Sequence, residues 1–177
     1  HSNANVTINN GSFSISTGDD GVHADNSTVI NGGELTVLKS YEGVEGLTVE
    51  INGGTLDLTA SDDGINAAGG NDNSGFGGPR GGDVFGSSSG SSYIKITGGT
   101  VYVNADGDGV DANGSLEVSG GGLFVSGPTS NGNGALDFDG SGIIIGGTVI
   151  AVGSSGMAQN FGTSSTQGSA LISVGNR

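Results

Sequence analysis

Four short turns along this chain carry acids at matching places. They read Asp19-Asp20-Gly21-Val22-His23, Tyr41-Glu42-Gly43-Val44-Glu45, Asp62-Asp63-Gly64-Ile65-Asn66 and Gly107-Asp108-Gly109-Val110-Asp111. Alignment puts Asp20, Glu42, Asp63, Asp108 and, further on, Asn133 in one file. Three residues later His23, Glu45, Asn66 and Asp111 form a second file, and Asp19, Asp62 and Asp106 flank the first. Asp25, just beyond His23, is a further acid of the first turn. Carboxylate and carboxamide oxygens grouped in this way are the donor set of a hard divalent cation. Calcium accepts about six to eight oxygens in irregular geometry, whereas magnesium demands a stricter octahedron. Zinc favours His and Cys, and the chain has 2 His and no Cys. Calcium is the cofactor this chemistry predicts. His23 replaces an acid in the first turn, and it reads as a hydrogen-bonding turn residue rather than a ligand.

The elements that position these turns repeat with them. Ile30-Asn31-Gly32-Gly33-Glu34-Leu35-Thr36-Val37 is a strand, a Gly-Gly turn and a second strand. The pattern returns at Ile51-Asn52-Gly53-Gly54-Thr55-Leu56-Asp57-Leu58 and at Ile96-Thr97-Gly98-Gly99-Thr100-Val101-Tyr102-Val103. The second glycine recurs after 21 residues from Gly33 to Gly54 and after 22 from Gly99 to Gly121. A period in this range, with strand alternation and no helical pattern, predicts an all-β solenoid. The expected fold is a single-stranded, right-handed parallel β-helix of about six coils, the hand following from the general preference of parallel crossovers. The coils fall at about 5–26, 27–46, 47–91, 92–114, 115–140 and 141–177 of one domain, 1–177.

Alternation assigns the faces. Val49, Ile51, Leu56 and Leu58 point inward in the third coil, as do Ile94, Ile96, Val101 and Val103 in the fourth, with Lys95 and Tyr102 outward. Val22, Val44, Ile65 and Val110 share one repeat position and predict an internal aliphatic stack. Asn31 and Asn52, just before the Gly-Gly turns, are expected to serve turn geometry. Glu34, Glu50, Asp57 and Glu117 read as solvated outward charges. Asn5-Val6-Thr7-Ile8 reads as an uncapped strand edge, and the drift of the last coils from the pattern reads as a cap.

The third coil carries an insertion at about 69–92, rich in Gly, Ser and Asn. It reads as a surface loop. Phe76, Arg80 and Phe85 within it are candidate ligand contacts, or residues that tuck against the solenoid.

Composition narrows the function. The net charge is −14, from 18 acids and 4 bases, so nucleic acid and anionic membrane are repelled. No apolar run approaches the ~20 residues of a membrane-spanning helix. Without cysteine there is no disulfide framework, and bound metal is the expected source of added stability. The start at His1, with no initiator Met or signal peptide, reads as a mature or trimmed fragment.

Stacked coils lie about 4.8 Å apart, and carboxylates at that spacing repel unless protonated or neutralised by a cation. The bland alternative is a solvated acidic face. Catalysis is disfavoured. A β-elimination needs a base, and Lys39 is the one candidate among Lys39, Arg80, Lys95 and Arg177. A hydrolase needs one differentiated carboxylate pair, whereas repeated acids imply a repeated role.

The runs Asp19-Asp20-Gly21-Val22-His23-Ala24-Asp25, Ser40-Tyr41-Glu42-Gly43-Val44-Glu45-Gly46 and Ala60-Ser61-Asp62-Asp63-Gly64-Ile65-Asn66-Ala67-Ala68 resemble the extracellular carbohydrate-binding β-helix proteins of cellulolytic clostridia. The resemblance covers most of 15–125 and fades after it. It implies a pectate-lyase-like right-handed β-helix with calcium along the acidic turns. It also implies binding of polygalacturonate and cellulose, a secreted or cell-surface location, and a part in thin surface fibres. Carried over, Asp19, Asp20, Glu42, Glu45, Asp62, Asp63 and Asn66 line the metal sites. Asp106, Asp108 and Asp111 match less closely, and Asn133 departs from the pattern.

A non-catalytic binding role follows if incompletely coordinated calcium bridges protein and sugar carboxylates. Tyr41, Tyr93 and Tyr102, with Phe76 and Phe85, are candidate platforms for sugar rings, and Lys39 and Arg80 candidate contacts for their acids. The alternative is a fibre subunit built by end-to-end stacking of copies, with calcium clamping the coils.

Overall fold

Strand alternation and glycine turns produce a column of stacked coils. The computed structural model describes residues 1–68 and 91–175. Phe76, Arg80 and Phe85 lie outside the described residues. Among these residues there is no helix, and every strand pairing is parallel.

Each coil runs along one sheet, turns at glycine, and returns along a second. The first sheet holds β1 (Asn5–Ile8), β3 (Val22–Ile30) and β5 (Val44–Ile51). In later coils the same course is split in two. The pairs are β7 (Ile65–Ala67) with β8 (Tyr93–Ile96), β10 (Val110–Ala112) with β11 (Ser115–Val118), and β13 (Asp137–Phe138) with β14 (Gly142–Ile144). The second sheet stacks β2 (Ser12–Ser16), β4 (Glu34–Lys39), β6 (Thr55–Ala60), β9 (Thr100–Ala105), β12 (Gly122–Ser126) and β15 (Thr148–Val152). This is a β-solenoid of about six turns. The inserted residues fall between β7 and β8, yet register resumes beyond them, with Val49 beside Ile94 and Ile51 beside Ile96.

The core is a column of aliphatic side chains from alternate strand positions. Val49, Ile51, Leu56, Leu58, Ile94, Ile96, Val101 and Val103 are all buried, as alternation requires. Val22, Val44, Ile65 and Val110 are buried in register with one another. Lys95 is half-buried and Tyr102 exposed on the outside. At the last coil, residues 161–167 run beside β14. The Gly162 and Gln167 amides donate to Gly142 O and Ile144 O, and Phe161 packs on the core.

Three turn residues differ from the sequence reading. Asn31 and Asn52 act between coils rather than within a turn. Asn31 Nδ2 donates to Asn9 Oδ1 at 2.8 Å, Asn52 Nδ2 to Asn31 Oδ1 at 3.0 Å, and Thr97 Oγ1 to Asn52 Oδ1 at 2.7 Å. Stacked amides can act as donor and acceptor at once, so an Asn file satisfies itself from coil to coil. Asn133 does not continue the first acidic file. The Gly134 amide donates to Asp108 Oδ1, and Asp137 pairs with Asp111. Leu136 continues the aliphatic stack, which sets the register one residue later than the acids alone suggest.

The Gly-Gly turn tolerates little else. Gly54 has φ +91°, and a Cβ there would lie 2.7 Å from Gly33 O. An alanine is therefore opposed by backbone conformation and by the coil below. Gly54→Ala is expected to cost at least about 2 kcal/mol in urea unfolding, against about 0.5 kcal/mol or less for Thr55→Ala beside it.

Candidate functional site

The acidic turns are clamped by the backbone before any side chain acts. Gly21 N donates to Glu42 O at 2.9 Å, Gly43 N to Asp63 O at 3.0 Å, and Gly64 N to Asp108 O at 2.9 Å. A Cβ on Gly21 would lie 2.6 Å from Gly43 O, so glycine lets the coils approach this closely. The acids are thereby held one above another.

Asp and Glu solve this crowding differently. Asp20 Oδ1 accepts the Glu42 amide at 3.2 Å, Asp63 Oδ1 accepts the Asp108 amide at 2.6 Å, and Asp108 Oδ1 accepts the Gly134 amide. Each Asp thus caps the backbone of the next coil at its own position. Glu42 reaches one methylene further into the second file. Its Oε1 accepts from Asn66 Nδ2 at 2.9 Å. Glu42 Oε2 and Asn66 Oδ1 are buried and have no hydrogen-bond donor among the described residues. Both residues are deeply enclosed, at 3% and 1% exposure. Two adjacent acceptor side chains with donor-free oxygens depart from the general rule that buried polar groups are paired.

At the first step of the stack the chain supplies its own cation. His23 is buried, and its Nδ1 contacts Asp20 Oδ2 at 3.0 Å and Glu45 Oε2. Its Nε2 lies 3.3 Å from Asp25 Oδ1, and the His1 ring stacks on its ring at 4.2 Å. Burial alone would lower the His23 pKa, but hydrogen bonds to Asp20 and Glu45 and the charges of both carry it up to about 10. An imidazolium therefore sits among Asp20, Glu45 and Asp25, consistent with the hydrogen-bonding role read from the sequence.

Higher up, Asp63, Asp108 and Asp111 are all buried, with one oxygen of each within 4.8 Å of the others. Were all three ionised, each pair would repel by roughly 3–4 kcal/mol at an effective dielectric near 20. Gly107, rather than Asp106, stands opposite Asp62, whose carbonyl accepts the Gly107 amide at 3.0 Å. A Cβ on Gly107 would lie 2.5 Å from Asp63 Oδ1 and 2.6 Å from Asp62 Oδ1, so glycine leaves space between the two carboxylates.

The remaining candidates lie at the rim. Asp19, Tyr41 and Asp62 are half-buried and succeed one another from coil to coil. The Tyr41 amide donates to Asp19 O and the Asp62 amide to Tyr41 O. Asp106 is exposed at the end of β9, and Lys39 is exposed at the end of β4. Tyr93 donates its hydroxyl to Glu50 Oε1 at 2.6 Å, which raises its pKa and ties Glu50 to a neighbouring strand. Glu117 pairs with Lys95 at 3.3 Å. Asp137 is the second-file member that sequence alignment missed. The aliphatic Leu136 just before it was the available signal.

Fold and site together define a parallel β-solenoid with a buried, oxygen-rich turn stack. Residues 1–43, which include the first acidic turn and its stacking partner Glu42, match a family model described as a carbohydrate-binding domain-containing protein. No curated protein and no solved structure matches the chain.

The charges set a pH dependence. Burial, then the Glu45 charge, raises the Glu42 pKa well above 4.5, with the Asn66 hydrogen bond opposing and the Asp20 and Asp63 charges adding. The folded chain thus binds protons that the unfolded chain releases, at Glu42 above pH 4.5 and at His23 between 6.5 and about 10. Stability in chelator is expected to fall as pH rises through both windows. Melting temperature read from about pH 5 to about pH 9 checks this. Glu42→Gln should flatten the acid side of the slope and His23→Gln the alkaline side.

Proposed function

We propose that the acidic turns hold calcium, and that the loaded solenoid binds acidic polysaccharide without transforming it. The observation that carries the metal reading is the pair of buried oxygens, Glu42 Oε2 and Asn66 Oδ1, that accept from no donor among the described residues. An unsatisfied buried polar group costs about 1–3 kcal/mol, and a charged one more. A hard cation bound between the two side chains would satisfy both oxygens.

The donor set fits such an ion. Glu42, Asn66 and Glu45 would hold it at the second and third turns, and Asp63, Asp108 and Asp111 at the third and fourth, with Asp62 beside Gly107. All are oxygen ligands, some charged and some neutral, as calcium accepts. Bound calcium supplies positive charge, together with coordination positions that a uronate carboxylate can fill.

The chain's own residues set the rest of the interaction. At a net charge of −14 the protein repels a polyuronate, so binding depends on the charge of the turns being reversed. Lys39 follows Leu38 out of β4 and is exposed, and its carbonyl accepts the Thr17 amide just before the first acidic turn. Its ammonium would meet a sugar carboxylate, and Tyr41 would offer its ring to the sugar. The match of residues 1–43 to a carbohydrate-binding family supports a sugar partner. Repetition of the same acids favours binding over catalysis, since a reaction needs one differentiated pair. The polymer is polygalacturonate or a close relative, and the protein works outside the cell or on its surface.

Polygalacturonate pull-down with calcium and with excess chelator tests this. Binding is expected in calcium and lost in chelator, with a drop in melting temperature. Glu42→Gln should weaken calcium on the order of tenfold. Binding that survives chelation, or a melting temperature indifferent to calcium, overturns the reading.

A further inference from the structure

The chain has 2 histidines, and the fold stacks one on the other. Ser2 pairs with Ala24. The Ser2 amide donates to His23 O at 3.0 Å, and the Asp25 amide donates to Ser2 O at 2.9 Å. This register sets His1 one coil below His23. The second file of the turns therefore runs His1, His23, Glu45 and Asn66, with imidazoles before the first carboxylate. Counted along the sequence, two histidines are few for a nitrogen-seeking metal. Stacking changes that, because both serve one place.

Both rings meet the same carboxylate oxygen through the same nitrogen. His23 Nε2 lies 3.3 Å from Asp25 Oδ1, and His1 Nε2 lies 3.5 Å from it. Asn3 Oδ1 is 3.1 Å from His1 Nε2. The ligands of a tetrahedral ion with bonds near 2.0–2.1 Å stand about 3.3–3.4 Å from one another. These nitrogens and oxygens already have that spacing. The far side of the His23 ring is occupied as well, with Nδ1 against Asp20 Oδ2 at 3.0 Å and against Glu45 Oε2. A carboxylate on the second nitrogen is the usual support of a metal-bound imidazole. It fixes the ring and makes it a stronger donor. The His23, Asp20 and Glu45 side chains are all buried, so this support is firmly held.

We propose that His1, His23 and Asp25, with Asn3 beside them, bind a transition-metal dication of the zinc class. Zinc accepts this mixture of imidazole nitrogen and oxygen, whereas calcium takes oxygen alone. The site is thus distinct in chemistry from the one proposed for calcium, and it stands whether or not calcium binds. His23 is in place. His1 is half-exposed, and its ring pivots out of the stack to turn its lone pair toward the ion. The ion replaces the Nε2 protons, which leave to solvent, while the His23 Nδ1 hydrogen stays with Asp20 and Glu45. Bound there, the ion ties residues 1–3 to the first acidic turn and stabilises that part of the column.

The test titrates the whole chain with Zn²⁺ by calorimetry in saturating calcium, with Co²⁺ added separately as a visible probe. One ion per chain is expected, with a rise in melting temperature. Co²⁺ should show the intense visible bands of a tetrahedral site. His1→Ala and Asp25→Asn should each weaken Zn²⁺ at least about tenfold. The Co²⁺ spectrum of the unaltered chain keeps the test open should either variant fold poorly. Absence of Zn²⁺ binding in calcium overturns the site. So does Zn²⁺ that calcium displaces, which would put the ion in the acidic turns, and so does the pale spectrum of octahedral Co²⁺. Binding lost in His1→Ala but kept in Asp25→Asn assigns the ion to His1 alone and overturns the site too. None of these outcomes bears on calcium-dependent polygalacturonate binding, which has its own test.

Discussion

Direct stacking of one coil on the next governs this molecule. Parallel strands lie about 4.8 Å apart, so each repeat position meets its own kind above and below. For Val44 over Ile65 over Val110 this is favourable, because the stacked aliphatic side chains bury one another. For Asn9, Asn31 and Asn52 it is also favourable, because each amide can donate to one neighbour and accept from the other. For acids it is costly, and the backbone hydrogen bonds of the turn keep the coils from backing away.

The chain meets that cost in three ways along one stack. At the bottom an imidazolium, His23, sits between Asp20 and Glu45. Along the first file, Asp20, Asp63 and Asp108 each turn one oxygen to a backbone amide of the next coil. Between these, Glu42 overreaches the amide and meets Asn66, leaving two buried oxygens with no donor. The third arrangement is incomplete among the described residues, so it carries the functional reading. It also joins stability to binding, since whatever satisfies those oxygens holds two coils together.

The outline of this was legible in the sequence because stacked turns constrain composition. Only glycine fits the close approach, so Gly33, Gly54, Gly99 and Gly121 mark the period, and alternation about them gives the inner face. Placement failed where acids guided the alignment instead of the core. Asn133 aligns by spacing as the next member of the file, but Leu136 fixes the register and brings Asp137 over Asp111. Asp106 looked like a flanking ligand, but Gly107 holds that place. The difference between Asp and Glu was invisible as well, because it depends on one methylene measured against the coil spacing. Tyr102 was readable as outward, while its stack with Phe124 required the register between β9 and β12.

The central claim is that a cation completes the Glu42–Asn66 arrangement. The most direct measurement is anomalous diffraction from crystals grown in calcium, compared with crystals grown in chelator. The account predicts a calcium peak beside Glu42 Oε2 and Asn66 Oδ1 that is missing after chelation. Absence of any anomalous peak there at saturating calcium, with a protonated Glu42 or a water taking the place, would contradict it.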